Sequence, residues 1–112
     1  MKNVIIINEQ HRLMEQQKQI IERQLGNDIG LLKIPEQGLN RQEIEDIANA
    51  LNNKAINVIV LSPIPLLLAR LAHNQGTNNV WILHNDRRDK VELPNGQIRM
   101  VVAKDGWELI QV

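Results

Sequence analysis

The sequence predicts a small Rossmann-like α/β domain of three layers, with a parallel core sheet and a C-terminal antiparallel meander. Apolar, β-branched runs alternate three times with helical patterns, an order that gives parallel strands joined by right-handed crossovers. Two of the runs, residues 3–8 and 56–61, have continuous apolar centres, as in strands covered on both faces. Glycine-containing turns near the C-terminus separate further short strands, which is typical of hairpins.

Length and composition exclude several classes of function. The chain has 112 residues, so we expect one domain over residues 1–112 that buries roughly two-thirds of its unfolded surface. The absence of cysteine excludes disulfides, thiolate metal sites and thiol nucleophiles. A net charge of zero argues against binding to duplex nucleic acid. Two Trp and no Phe or Tyr leave few platforms on which single-stranded bases could stack. The first apolar run is too short for a signal peptide or a membrane span, so a cytoplasmic location is expected.

The first half of the chain contains two helical patterns. One covers residues 11–25 and ends at Gly26, a common helix stop. Asn40, followed three positions later by Glu43, forms a capping-box pattern that begins the second helix. The apolar residues of that helix recur on one face. They are Ile44, Ile47, Ala48 and Leu51.

The second half contains a third helix and the expected meander. Ser62 is expected to be the N-cap of this helix, with Pro63 in its first turn and an end near Asn74. Two hairpins are expected to turn at residues 94–96 and 104–106. The predicted strands of the parallel sheet are residues 3–8, 29–34, 56–61 and 80–83.

Polar side chains follow three of the predicted strands, where an open parallel sheet binds its ligands. They come after the first, third and fourth strands and include two of the three histidines and an arginine pair. Guanidinium groups and a helix start suit an anion, and imidazole can move a proton near neutral pH. The candidate residues are Asn8, Gln10, His11, Ser62, Pro63, His84, Asn85, Arg87 and Arg88.

Each of these features also has a structural explanation. Arg87 and Arg88 could solvate a turn, His84 could only fix its loop, and Ser62 could act as an N-cap alone. His73 lies away from the strand ends and is interpreted as structural or exposed. Glu9 and Asp86 are too weak a pair to predict a metal site, and we expect no cofactor. The standard dinucleotide and P-loop glycine motifs are absent.

The segment IINEQHRLMEQQ, residues 6–17, resembles the N-terminal signature of small stand-alone CRISPR-associated proteins with a CARF-type Rossmann fold. The resemblance lies in His11, Leu13 and Gln16 after an apolar strand, and the order of elements along the chain is also similar. It implies a protein of type III CRISPR signalling that binds cyclic oligoadenylate. A homodimer is then expected, because a two-fold dimer matches a ring with an even number of repeats.

The resemblance leaves two activities open. A ring nuclease would cleave the ligand without metal, with Arg87 and Arg88 on the phosphoryl oxygens and His84 or His11 as general acid or base. Asn8, Gln10 and Asn85 would contact adenine edges, while backbone N–H groups at Ser62 and after it would lie near phosphates. A sensor or sponge would bind without cleavage. A third possibility, independent of the resemblance, is a structural or protein-interaction module that binds no nucleotide.

Overall fold

Strands and helices alternate through the first three-quarters of the chain. The computed structural model describes residues 2–52, 55–62, 64–73, 79–85, 88–102 and 106–112, with only the backbone described at position 102. Within these ranges the elements are β1 (Lys2–Asn8), α1 (Glu15–Leu25), β2 (Ile29–Ile34), α2 (Arg41–Ala50), β3 (Ile56–Val60), α3 (Pro65–His73), β4 (Asn79–His84), β5 (Arg88–Glu92), β6 (Ile98–Val102) and β7 (Glu108–Gln111).

The central sheet has five strands in the order β2-β1-β3-β4-β7. Strand β1 pairs in parallel with β2 and β3, and β3 pairs in parallel with β4. Only β7 runs antiparallel, along the outer edge of β4. The prediction of a mixed α/β domain with a mostly parallel sheet is therefore confirmed, and the arrangement is compatible with a small Rossmann-like fold.

Helices cover both faces of the sheet, which gives the predicted three layers. Alternate residues of a strand point to opposite faces, so β1 supplies Ile6 to one apolar cluster and Ile5 and Ile7 to the other. Helices α2 and α3 pack on the first face through Ile44, Ala48, Leu67 and Leu71. Helix α1 packs on the second through Ile21. No helix within the described residues is long and apolar enough to cross a bilayer.

Two helix starts differ from the predictions, while the capping box of α2 is confirmed by reciprocal Asn40–Glu43 hydrogen bonds of 2.8 and 3.0 Å. Helix α1 begins at Glu15 and not at His11, because residues 8–11 form a turn in which the His11 N–H donates to the Asn8 carbonyl. Helix α3 begins with Pro65 at its first position, where a missing N–H costs nothing.

Ser62 is therefore not the N-cap of α3, and that prediction is wrong. Its hydroxyl instead accepts a hydrogen bond from the Asn8 N–H, across the boundary between β1 and β3. Pro63 and Asn74, the predicted first-turn proline and helix end, lie outside the described residues.

The predicted C-terminal meander is also corrected. Strands β5 and β6 form a separate hairpin, and β7 pairs with β4 and not with β6. The physical reason is Leu109, which is 9% exposed and completes the apolar cluster beneath α1. The turn at residues 94–96 is confirmed, with Gly96 at φ +83° and its N–H donating to the Leu93 carbonyl. Lys104 and Asp105 of the second predicted turn lie outside the described residues.

A chain of buried amide and indole groups crosses three strands near their amino ends. The Trp81 indole N–H donates to Asn57 Oδ1 at 3.3 Å, and Asn57 Nδ2 donates to Asn3 Oδ1 at 2.9 Å. Asn3 Nδ2 then donates to the carbonyls of Leu25 and Gly26, each at 3.2 Å. These two carbonyls belong to the C-terminal end of α1. This series of side-chain hydrogen bonds therefore joins α1 to the sheet.

Replacing Asn3 by Ala should lower the free energy of unfolding by about 3 kcal/mol, because buried partners left unpaired cost roughly 1–3 kcal/mol each. Urea denaturation followed by circular dichroism measures the loss. Asn49→Ala, at an exposed position of α2, is the matched control and should change stability by less than about 0.5 kcal/mol. Equal effects of the two substitutions would contradict a structural role for the buried chain.

Candidate functional site

The carboxyl ends of β1, β3 and β4 lie side by side. Ile6 is paired with Val60 and Val60 with Ile82, so positions 8, 62 and 84 follow at the same level of the sheet. The sequence analysis placed its candidate residues at these three strand ends. The structure therefore brings the three predicted loops to one edge, where open parallel sheets bind ligands.

Ser62 is the centre of the contacts at this edge. It is the only serine of the chain, and it is 9% exposed. Its Oγ accepts the Asn8 N–H at 2.9 Å and lies 3.1 Å from Nδ1 of His11. The hydroxyl thus fixes one nitrogen of the imidazole ring, while the His11 side chain as a whole is exposed. A histidine held through Nδ1 has Nε2 left for contact with a ligand.

Hydrogen bonds also fix the loop that carries His11. The Asn8 side chain accepts the Gln10 N–H at 2.9 Å, which forms a local turn. Gln10 Nε2 donates to Glu36 Oε2 at 2.7 Å, and the Glu36 N–H donates to Glu9 Oε1 at 2.8 Å. The loops after β1 and β2 are therefore tied together. The carboxylates of Glu9 and Glu36 are engaged in these bonds beside the site.

A pocket of about 450 Å³ opens beside the His11–Ser62 pair, on the face of the sheet that α1 covers. Among the described residues that line it there is no carboxylate, whereas Arg12 and His11 are present. Met14, Leu61 and Trp107 give it apolar walls. The pocket is lined by Gln10, His11, Arg12, Met14, Gln17, Leu61, Ser62 and Trp107.

His84 does not line this pocket. Residue alternation along β4 places it on the face of Val80 and Ile82, which is the face of α2 and α3, whereas Leu83 points toward α1. Its side chain is exposed. His11 and His84 thus share an edge of the sheet, but only His11 lines the pocket.

The remaining candidates lie away from the pocket or outside the described residues. Asn85 follows β4 directly, and Arg88 begins β5. Neither is among the pocket's lining residues. Pro63 and Arg87 lie outside the described residues, as does Asp86. The structure therefore assembles Asn8, Gln10, His11 and Ser62, and of the predicted basic pair it describes only Arg88, which does not line the pocket.

Sequence reasoning missed five residues of the pocket, of which Met14 and Leu61 belong to its apolar walls. Arg12 was overlooked although it directly follows His11. Gln17 is 4% exposed, and its Oε1 accepts the Met14 N–H at 2.9 Å, so it both caps α1 and lines the pocket. Trp107 enters from the segment before β7, and its position depends on a strand order that the sequence pattern did not indicate.

No group of three His, Cys, Asp or Glu side chains that could hold a metal ion occurs within the described ranges. Comparison of the chain with protein-family models, curated proteins and solved structures found no match. The resemblance carried by residues 6–17 thus stays a prediction, and the argument for function rests on the geometry of the pocket.

Ser62→Ala should destabilise the protein by roughly 1–3 kcal/mol, since the Asn8 N–H loses its acceptor in a partly buried position. It should also change the ¹⁵N NMR signals of the His11 ring, whose Nδ1 loses its partner. Ser62→Thr keeps the hydroxyl and is the control. If Ser62→Ala left both the urea midpoint and the His11 ring signals unchanged, the proposed anchoring of His11 would be wrong.

Proposed function

We propose that this protein has a Rossmann-like fold of the CARF type and binds cyclic oligoadenylate in the pocket beside His11 and Ser62. The observation that carries the proposal is the composition of the pocket. Its described lining combines Arg12 and His11, without a carboxylate, and the apolar walls of Leu61 and Trp107, at the edge where open parallel sheets bind ligands. The resemblance of residues 6–17 supplies the identity of the ligand.

The phosphate and base groups of the ligand each match a side chain of the pocket. The Arg12 guanidinium suits a phosphate, which it can contact through two N–H groups. The indole of Trp107 offers a flat apolar surface to an adenine base, and its Nε1–H is buried without an acceptor among the described residues. A ligand acceptor at this N–H would remove the cost of the unpaired donor.

The size of the ligand favours a homodimer. A pocket of about 450 Å³ is at the lower end of the range for small-molecule sites, whereas a ring of four or six nucleotides is larger. Two copies of the pocket related by a two-fold axis would each contact half of such a ring. The ligand would then bridge the subunits.

Cleavage of the bound ring is the catalytic form of this proposal. The ribose 2′-oxygen attacks the adjacent phosphorus and the bond to the 5′-oxygen breaks, which yields a 2′,3′-cyclic phosphate and a 5′-hydroxyl. The proton leaves the 2′-hydroxyl and a proton is gained by the 5′-oxygen. His11 has an imidazole nitrogen in position for one of these transfers, and Arg12 would stabilise the charge on the phosphoryl oxygens.

A specific observation favours the second candidate, a sensor or sponge that binds without cleavage. The sequence analysis assigned proton transfer to His11 or His84, but His84 does not line the pocket. A single imidazole would have to serve the reaction. The assay below separates the two candidates because it detects products and binding independently.

Incubation with cyclic tri-, tetra- or hexa-adenylate in EDTA, read by mass spectrometry, should give linear products with the unchanged protein. His11→Ala should slow cleavage by roughly 10²–10⁴-fold, the usual contribution of general acid–base catalysis, while binding by gel shift persists. His73→Ala, an exposed histidine of α3, and His84→Ala are the controls. Binding without products identifies a sensor or sponge. Neither binding nor products would overturn the proposal.

Trp107 provides a direct readout of occupancy. In Trp81→Phe it is the only indole of the chain, and cyclic tetra-adenylate should quench its fluorescence because the base lies against the ring. In the matched variant Trp107→Phe, the remaining Trp81 lies among the buried amides near the other end of the strands, so its emission should not change. Quenching in the second variant only would place the ligand elsewhere.

A further inference from the structure

No described side chain of the hairpin β5–β6 is among the buried residues of either core. All the buried residues of the two apolar clusters lie outside residues 88–102. Several of the hairpin's large apolar side chains are exposed, with Ile98 at 66%, Met100 at 52% and Val91 at 42%. An isolated two-stranded hairpin is marginally stable in water at best, so this one requires a partner.

The two edges of the hairpin differ in chemistry. Strand β5, with the sequence RDKVE, carries four charged residues, and charges of this kind protect sheet edges against association. Strand β6, with the sequence IRMVV, carries Arg99 as its only charge. An apolar edge strand without such protection is the side on which another strand adds.

The hydrogen-bond pattern between β5 and β6 determines which backbone N–H and C=O groups of β6 point away from β5. The Leu93 N–H donates to the Gln97 carbonyl at 2.7 Å, and in an antiparallel ladder hydrogen-bonded pairs alternate with non-hydrogen-bonded pairs. Along the observed register, Val91 and Arg99 form the next hydrogen-bonded pair. Lys90 and Met100, directly opposite each other, form a non-hydrogen-bonded pair. The N–H and C=O of Met100 therefore point away from β5.

We propose that this protein forms a two-fold dimer in which β6 pairs antiparallel with β6 of a second copy, with Met100 on the axis. The result is a continuous four-stranded sheet, β5-β6-β6-β5. In this register Met100 faces Met100 and Ile98 faces residue 102, so apolar positions meet apolar positions. Arg99 faces Val101, which keeps the two Arg99 side chains from lying directly opposite each other.

Repulsion between like charges disfavours one of the adjacent registers. A shift that pairs Ile98 with Met100 places Arg99 directly opposite Arg99 of the second copy, and like charges in that position are destabilising. A shift the other way, with Val101 on the axis, pairs only residues 100–102 of the five-residue strand. The register with Met100 on the axis therefore pairs the whole of β6 without opposing like charges, and it is self-complementary, as a two-fold interface requires. This argument identifies a second copy of the chain, and not an unrelated strand, as the occupant.

The inference gives two copies of the chain a contact of their own, and it does not depend on the ligand. Its experiments contain no nucleotide. A failure to dimerise through β6 and a failure to bind cyclic oligoadenylate are therefore separate results.

Met100→Cys provides the first test, because the chain has no other cysteine. Opposed residues of a hydrogen-bonded antiparallel pair have Cα atoms about 5.5 Å apart, within disulfide range. Mild oxidation should link most of the Met100→Cys chains as dimers on a non-reducing gel. Lys90→Cys, on the same face of the protected strand, should stay monomeric. Equal linkage of both variants, or none of Met100→Cys, would overturn the proposal.

Proline supplies the second test. Met100→Pro removes the outward N–H on the axis from each copy and leaves the bonds within the hairpin intact, as proline does at a sheet edge. Two lost hydrogen bonds should raise the dimer dissociation constant about 30-fold in sedimentation equilibrium. Lys90→Pro makes the same change at the facing position of β5 and should leave dimerisation unchanged. A monomeric parent protein, or equal weakening by both prolines, contradicts β6 pairing.

Discussion

The arrangement of the layers depends on the buried hydrogen-bond chain that runs from Trp81 through Asn57 and Asn3 to the end of α1. Asn3 is fully buried and Asn57 is 6% exposed, so each of their bonds replaces water that has been lost. Apolar packing alone does not distinguish one face of a doubly covered strand from the other. The amides do, because α1 can satisfy its last carbonyls only on the face where Asn3 lies.

This constraint has a direct effect on the candidate site. Helix α1 is held at its C-terminal end by Asn3, and its N-terminal end then lies against the carboxyl edge of the sheet. There Gln17 caps the helix and lines the pocket, and Ser62 holds His11. The position of the imidazole is thus set by contacts at both ends of the same helix. The pocket exists because the turn at residues 8–11 delays the start of α1.

Local patterns were sufficient for much of the fold. The strands, the capping box of Asn40 and the glycine turn at Gly96 depend on neighbouring residues, and the sequence contains those signals. The start of α1 was a local error, whereas two other errors concern partners distant in sequence. Ser62 has the residue type of an N-cap, but its hydroxyl is 54 positions from the amide that it accepts. The pairing of β7 with β4 depends on the packing of Leu109, which no local signal encodes.

The candidate site was also predicted only in part. The order of the elements placed three loops at one edge, but the alternation of β4 separates His84 from His11, and Trp107 enters from a distant segment. The buried amides and the pocket lie at opposite ends of the strands, roughly 16 Å apart by the rise from Asn3 to Asn8. Mutations in the loops can therefore alter the candidate site while the buried amides are kept. An evolving lineage could change the residues at this edge except Ser62, whose hydroxyl both joins the ends of two strands and holds His11.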